Sequence, residues 1–144
     1  MSKIVVIGGG FGGLSFLQKA RKSNNEFTLI DKTNHHLFQP LLYQVATAVL
    51  SPADITVPIR NLFKNDSNVK VRLGEVVDIK RDKKQVILKN DDVIDYDQLI
   101  ISTGASYSYF GNDSWGKFSN GLKNINDALD IRAVSYTHLT LPTN

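Results

Sequence analysis

Ile4-Val5-Val6-Ile7 runs without a break into Gly8-Gly9-Gly10-Phe11-Gly12-Gly13, and no other feature narrows the fold as much. A continuous β-branched run reads as a strand buried on both faces, the pattern of a parallel sheet. Leu14, Leu17 and Ala20 then recur at helical spacing toward Lys22, and Ser23-Asn24-Asn25 breaks that helix. Phe27 to Ile30 reads as a second short strand, ending on Asp31-Lys32. Strand, glycine turn, helix and strand make a βαβ unit compressed into about thirty residues.

The turn carries the spacing Gly8-x-Gly10-x-x-Gly13. By glycine frequency alone a chain of this size would hold roughly 0.05 such matches; leaving a buried strand and opening a helix makes this one specific. Such glycines permit a tight turn, close approach of backbone to a diphosphate, and a helix lying close on the sheet. The free N–H groups and dipole of the helix start then favour phosphate charge. Asp31 stands where a dinucleotide fold expects an acid, about twenty residues on, to accept hydrogen bonds from ribose hydroxyls. The motif predicts dinucleotide binding and does not separate FAD from NAD.

Beyond the unit, Thr33 to Leu50 is irregular and rich in His, Pro, Gln and aromatic residues. Ser51-Pro52-Ala53-Asp54 predicts a capped helix start, continued by the face Ile59, Leu62 and Phe63. Val69, Val71 and Leu73 alternate with polar residues, and Val77 and Ile79 extend the period. The stretch from Val69 to Asp95 therefore reads as a hairpin-like excursion, with tips at Arg81–Lys84 and Asn90–Asp92. Leu99-Ile100-Ile101 reads as a last buried strand running into Ser102-Thr103-Gly104, where a glycine would let backbone approach a cofactor.

Composition removes several classes. The chain of 144 residues contains no Cys, so disulfide scaffolds, thiolate metal sites and cysteine nucleophiles are excluded within it. Its net charge of +3 is too small and scattered to argue for nucleic acid. No apolar run reaches the ~18 residues of a spanning helix, and the strand begins too soon after Met1 to leave room for a signal peptide. These features predict an intracellular type of sequence without a membrane-spanning helix.

From Lys3 to Arg132 the chain resembles the N-terminal part of type II NADH dehydrogenases, single-subunit NADH:quinone oxidoreductases that carry FAD. The likeness rests on Asp31 to Thr47, Leu50 to Ile55, Pro58 to Arg60, and Tyr96 to Ala105 with Ser108 to Gly111. The family usually has Ala before the Thr-Gly pair, so Ser102 is a small departure. The fold this implies is α/β: a Rossmann-like, FAD-binding βαβ unit with a parallel sheet plus a hairpin or meander excursion. It would be an incomplete part of a flavoprotein with two dinucleotide-binding domains.

The resemblance implies that Gly8, Gly9, Gly10, Phe11, Gly12 and Gly13 approach the FAD diphosphate. Asp31 and Lys32 would take the ribose side, His36 the cofactor's edge, and Val76 the adenine; Thr47 and Gly104 would lie near the flavin or its linker. It places no catalytic residue and no metal ligand in this stretch, because the family's catalytic acid belongs to a later NADH-binding fold. It further implies NADH and a quinone as partners of the full-length enzyme, no nucleic acid, and a homodimer as an allowed assembly. A later C-terminal region would hold the enzyme on the cytoplasmic face of the membrane. Related disulfide reductases place a redox Cys pair after the acidic ribose residue; here that stretch has none, which implies electron flow from NADH to flavin to quinone without a disulfide relay. Two alternatives stay open: a related flavoprotein reductase with another acceptor, and a non-catalytic module that binds NAD.

Val134 to Thr143 continues none of the preceding pattern and resembles one reading frame of a transposon-end sequencing adaptor. The expected division is a partial FAD-binding domain over 1–132 and a non-native tail over 133–144, with the helix from Asp127 interrupted near Arg132. Smaller features have plain readings. His35-His36 is a loop pair rather than a metal site, Lys80 to Lys84 a solvated hairpin tip, and Tyr107 to Phe118 an aromatic stretch packed against neighbouring domains. No nucleophile-elbow context favours a hydrolase.

Overall fold

The computed structural model describes residues 1–139, which divide into two compact units: Met1–His36 with Val57–Gly104, and Leu37–Thr56 with the segment from Ala105. The first unit is α/β. Strand β1 (Lys3–Ile7) is followed by helix α1 (Phe11–Ala20) and strand β2 (Glu26–Asp31). Later come β5 (Val69–Leu73), β6 (Val76–Lys80), β7 (Gln85–Leu88), β8 (Val93–Asp95) and β9 (Gln98–Ile101), after the short strands β3 (His35–Leu37) and β4 (Thr56–Pro58). The parallel sheet has the order β5-β2-β1-β9, while β6-β7-β8 form an antiparallel meander and β3 pairs with β4.

The β-branched run of β1 covers both faces of the sheet, because successive side chains of a strand point to opposite sides. Ile4 and Val6 join one buried cluster with Leu14 and Leu17 of α1, Phe27, Leu29, Ile59 and Phe63. Val5 and Ile7 join another with Ile30 and with Val86 and Leu88 of the meander. Each fully buried aliphatic side chain contributes about 1.5–3 kcal/mol relative to exposure, so the helix on one face and the meander on the other both hold the central strands in place.

The structure corrects the sequence reading at several points, and the His35-His36 pair stands in strand β3 rather than in a loop. Val69–Leu73 does not start the excursion: β5 extends the parallel sheet beside β2, from Phe27↔Val69 to Asp31↔Leu73. A period-2 pattern establishes a strand but not its partner. The stretch from Ser51 is not one helix. Its capping box forms, with the Ser51 N–H donating to Asp54 Oδ2 at 2.8 Å, but it caps only a 3₁₀ turn over Pro52–Ile55. Strand β4 follows, because Pro58 biases Val57 to extended backbone, and α3 is confined to Ile59–Leu62. The strand at Leu99 is not fully buried: β9 is an edge, and Ile101 is 62% exposed. Finally, helix α4 (Ile125–Leu139) runs on past Arg132 instead of stopping there. Beyond Ile131 its described residues add nothing to the core, and 140–144 lie outside the described residues.

In the second unit, α2 (Leu42–Ala46) packs Leu42, Val45 and Ala46 with Ile55 and with Ala128 of α4. The start of α4 is a reciprocal cap. Asn124 Oδ1 accepts the Asp127 N–H, and the Asp127 carboxylate accepts the Asn124 N–H, both at 3.0 Å. The same carboxylate accepts the Tyr107 hydroxyl at 2.5 Å and the Lys123 N–H at 2.8 Å. Desolvation, then the bond to Asp127, pushes the Tyr107 hydroxyl up to about 12. Partial burial raises the Asp127 carboxyl, but the hydrogen bonds from Tyr107 and from the backbone at Lys123 and Asn124 outweigh it and hold the group below the ordinary carboxylate range. Of the aromatic stretch, Phe110 and Phe118 are almost fully exposed and Trp115 is more than half exposed.

Candidate functional site

The turn after β1 is built where the carboxyl ends of the parallel strands meet the start of α1. Gly8 has φ +102°, a left-handed conformation that favours glycine, and a Cβ there would sit 2.3 Å from the Ser102 carbonyl oxygen. A Cβ on Gly13 would sit 2.0 Å from the Gly8 carbonyl oxygen, so the third glycine is what lets α1 lie against the turn. Gly10 differs from both. It is exposed, caps α1 from extended backbone, and a Cβ there would meet nothing within 4 Å. The first turn of α1 carries no acidic residue, so its positive dipole end is not neutralised by its own side chains.

Asp31, at the end of β2, reaches the turn directly. Its Oδ2 accepts the Gly9 N–H at 2.5 Å, and its Oδ1 accepts both the N–H and the hydroxyl of Thr33, at 2.6 and 2.7 Å. A carboxylate offers about four acceptor positions, so the carboxylate is oriented and still has acceptor capacity toward the cleft. His36 places Nδ1 3.0 Å from the Gly9 carbonyl oxygen, which requires a proton on that nitrogen, and its ring meets Phe11 edge-on at 5.0 Å between centroids. The second His of the pair, His35, faces Asn34 Oδ1 at 3.2 Å.

Beside the turn lies an open cleft of about 600 Å³, lined by Gly8, Asp31, Lys32, Gly74, Val76 and Thr103 among others. Val76 is half-buried opposite Leu88, and a register shift between Val76 and Asp78 turns the exposed Val77 into the same lining. Glu75 also lines the cleft, and its carboxyl is held below the ordinary range by the hydrogen bond and charge of Lys89, 2.9 Å away. With Asp31, Glu75 and Asp78 around it and Lys32 as the cation of the lining, the cleft is not a basic patch. An anion here would be held by backbone N–H groups and the helix dipole rather than by side-chain charge.

The structure thus brings together, in one unit, the glycine turn, Phe11, Asp31, Lys32, His36 and Val76. Gly104 follows β9 with φ +74° and open space around its missing side chain, so its glycine answers to backbone conformation rather than to a neighbouring group. Thr47 belongs to the other unit, where its hydroxyl donates to the Tyr43 carbonyl at 3.0 Å at the end of α2. Sequence reasoning missed Gly74, Val77 and Thr103 in the lining; Gly74, alone between two strands, was the one legible signal. It also took Ser102 for a small change, whereas its hydroxyl contacts the turn.

The profile of the pyridine nucleotide-disulphide oxidoreductases matches residues 2–137. The type II NADH:quinone oxidoreductase NdhA of Mycobacterium tuberculosis is 47% identical over 133 residues, covering 90% of this chain and 28% of its own length. The solved NDH2 of Plasmodium falciparum in complex with NADH superposes with a TM-score of 0.81 at 32% identity, over 98% of this chain and 30% of that one. The sulfide:quinone oxidoreductase of Aquifex aeolicus superposes with a TM-score of 0.87 at 25% identity, over 99% of this chain and 33% of that one. The chain therefore spans about a third or less of the proteins it is similar to.

Proposed function

The chain belongs to the pyridine nucleotide-disulphide oxidoreductase family, and from that premise we propose that it is the FAD-binding part of a type II NADH:quinone oxidoreductase. The observation that carries this reading is the Gly8–Gly13 turn, with Asp31 drawn onto its Gly9 N–H beside a cleft lined by Val76. The 47% identity to the mycobacterial enzyme supports the choice of acceptor class.

The residues fit the group: an exposed glycine with open space before a helix start, and an oriented carboxylate one strand over. The turn would hold the diphosphate, Asp31 and Lys32 the ribose, and Val76 and Val77 the flat face of the adenine; Thr47 and Gly104 are assigned to the flavin side. His36 acts one step back, by holding the Gly9 carbonyl. When bound, FAD supplies the hydride-accepting and electron-passing chemistry, and the protein supplies position and electrostatics. Electrons would pass from NADH to a membrane quinone in the longer enzyme, peripheral on the cytoplasmic face and able to form a homodimer. We read residues 1–132 as a part of its FAD-binding domain and 133–144 as a non-native tail.

Gly10→Val tests the assignment, because added side-chain atoms at Gly10 begin in space that no protein atom occupies. The variant is expected to keep its fold by circular dichroism and to lose retained flavin absorbance by roughly tenfold or more. A wild-type chain that retains NAD and no flavin would overturn the reading in favour of a nucleotide-binding module. The structural likeness to a sulfide:quinone oxidoreductase favours one competitor, a related reductase with another donor. NADH-dependent quinone reduction by the longer protein separates the two.

A further inference from the structure

Two carbonyls at the top of β1 face one hydroxyl. Ser102 Oγ lies 2.9 Å from the Ile7 oxygen and 3.0 Å from the Gly8 oxygen, and shares its single hydrogen between them. The Ser102 N–H donates to the same Ile7 oxygen at 2.8 Å, which fixes the residue on the strand end. The Gly8–Gly9 peptide is then held at both ends, its carbonyl by Ser102 and its N–H by Asp31 Oδ2 at 2.5 Å. A trans peptide points these two groups to opposite sides, so the hydroxyl and the carboxylate clamp the plane across its width. The following peptide is held on its carbonyl by His36, which turns the Gly10 N–H the other way, where Gly10 is exposed. Ser102 also abuts the start of α1: a Cβ on Gly13 would sit 2.8 Å from its Oγ.

We propose that Ser102 is a positioning residue for the diphosphate of the bound dinucleotide, fixing the Gly8–Gly9 peptide from the side opposite Asp31 so that the next N–H groups face the ligand. The inference rests on the FAD-binding reading above. An alanine would fill the same space without the hydrogen bonds, so the contribution resides in the hydroxyl and in the ligand part that meets the turn.

The test is Ser102→Ala in the full chain, with calorimetric titration of FAD and ADP and ligand-observed NMR for adenosine. Losing one net hydrogen bond predicts a Kd for FAD and for ADP raised about fivefold, with adenosine, which lacks phosphate, unchanged. Unchanged affinity for ADP and FAD would overturn the inference and leave the FAD reading standing. Equal weakening of adenosine, or a variant that no longer folds, would assign the hydroxyl to structure alone and overturn it as well. A wild-type chain that binds neither ADP nor FAD overturns both.

Discussion

In the unit built on the parallel sheet, aliphatic side chains cover both faces of β1 and β2, and the glycine turn rises from that packed base. In the other unit a small cluster joins α2 to α4, while the segment before α4 is held by polar ties: Tyr107 and the Lys123 backbone to Asp127, and Lys123 Nζ to the Ser106 carbonyl at 2.8 Å. The first arrangement spreads stability over many non-directional contacts. The second concentrates it in a few directional bonds, most of them made to the single Asp127 carboxylate. The residues of the turn therefore rest on a packed scaffold, whereas Tyr107 and the segment before α4 depend on the Asp127 carboxylate.

Core truncation is the harshest way to probe that contrast. Phe27→Ala, at a side chain with no exposure, is expected to cost about 3–5 kcal/mol by chemical denaturation, and Leu42→Ala in the other unit about 2 kcal/mol. Equal costs would break the comparison. Next comes the cap. Asp127→Ala removes the N-terminal partner of α4 and the Tyr107 acceptor, for an expected loss of ~1 kcal/mol. The pH dependence has a definite sign, because the Asp127 carboxyl is held below its ordinary value. It adds stability above that ordinary value and loses it as pH falls through the folded one. Trp115, the single Trp of the chain and a member of this unit, should report an acid transition that Asp127→Asn abolishes. The smallest effect belongs to Phe110→Ser. That side chain is 90% exposed, so the change should stay within about 0.5 kcal/mol in a thermal melt.

Legibility followed the range of the interactions. The β1–turn–α1–β2 unit was readable because its signals are local: a β-branched run, glycine spacing, a three-residue apolar period and an acid at the next strand end. The meander was readable from its turns, where Lys84 and Asp91 take positive φ between β6, β7 and β8. The partner of β5 was not readable, since alternation of Val69, Val71 and Leu73 is satisfied equally by a hairpin or by the edge of the parallel sheet. The break after Ile55 was masked by a good capping signal; capping starts a helix but does not sustain one through Thr56-Val57-Pro58. Ser102 was invisible for another reason. A hydroxyl in place of a methyl hydrogen changes nothing in a hydrophobic pattern, and its partners lie at the far end of the chain in sequence.

What the order of residues alone determined is the kind of object the chain forms: a parallel-sheet βαβ unit whose turn needs glycine at Gly8 and Gly13, with a carboxylate on the neighbouring strand. Those are consequences of backbone sterics and side-chain periodicity, which act over a few residues. Tertiary structure decided which groups hold that turn. Asp31, His36 and Ser102 come from three separate stretches and converge on two successive peptides. Hydrogen bonds are short-ranged and directional, and the pairing of β2 and β9 with β1 is what brings Asp31 and Ser102 within reach of the turn.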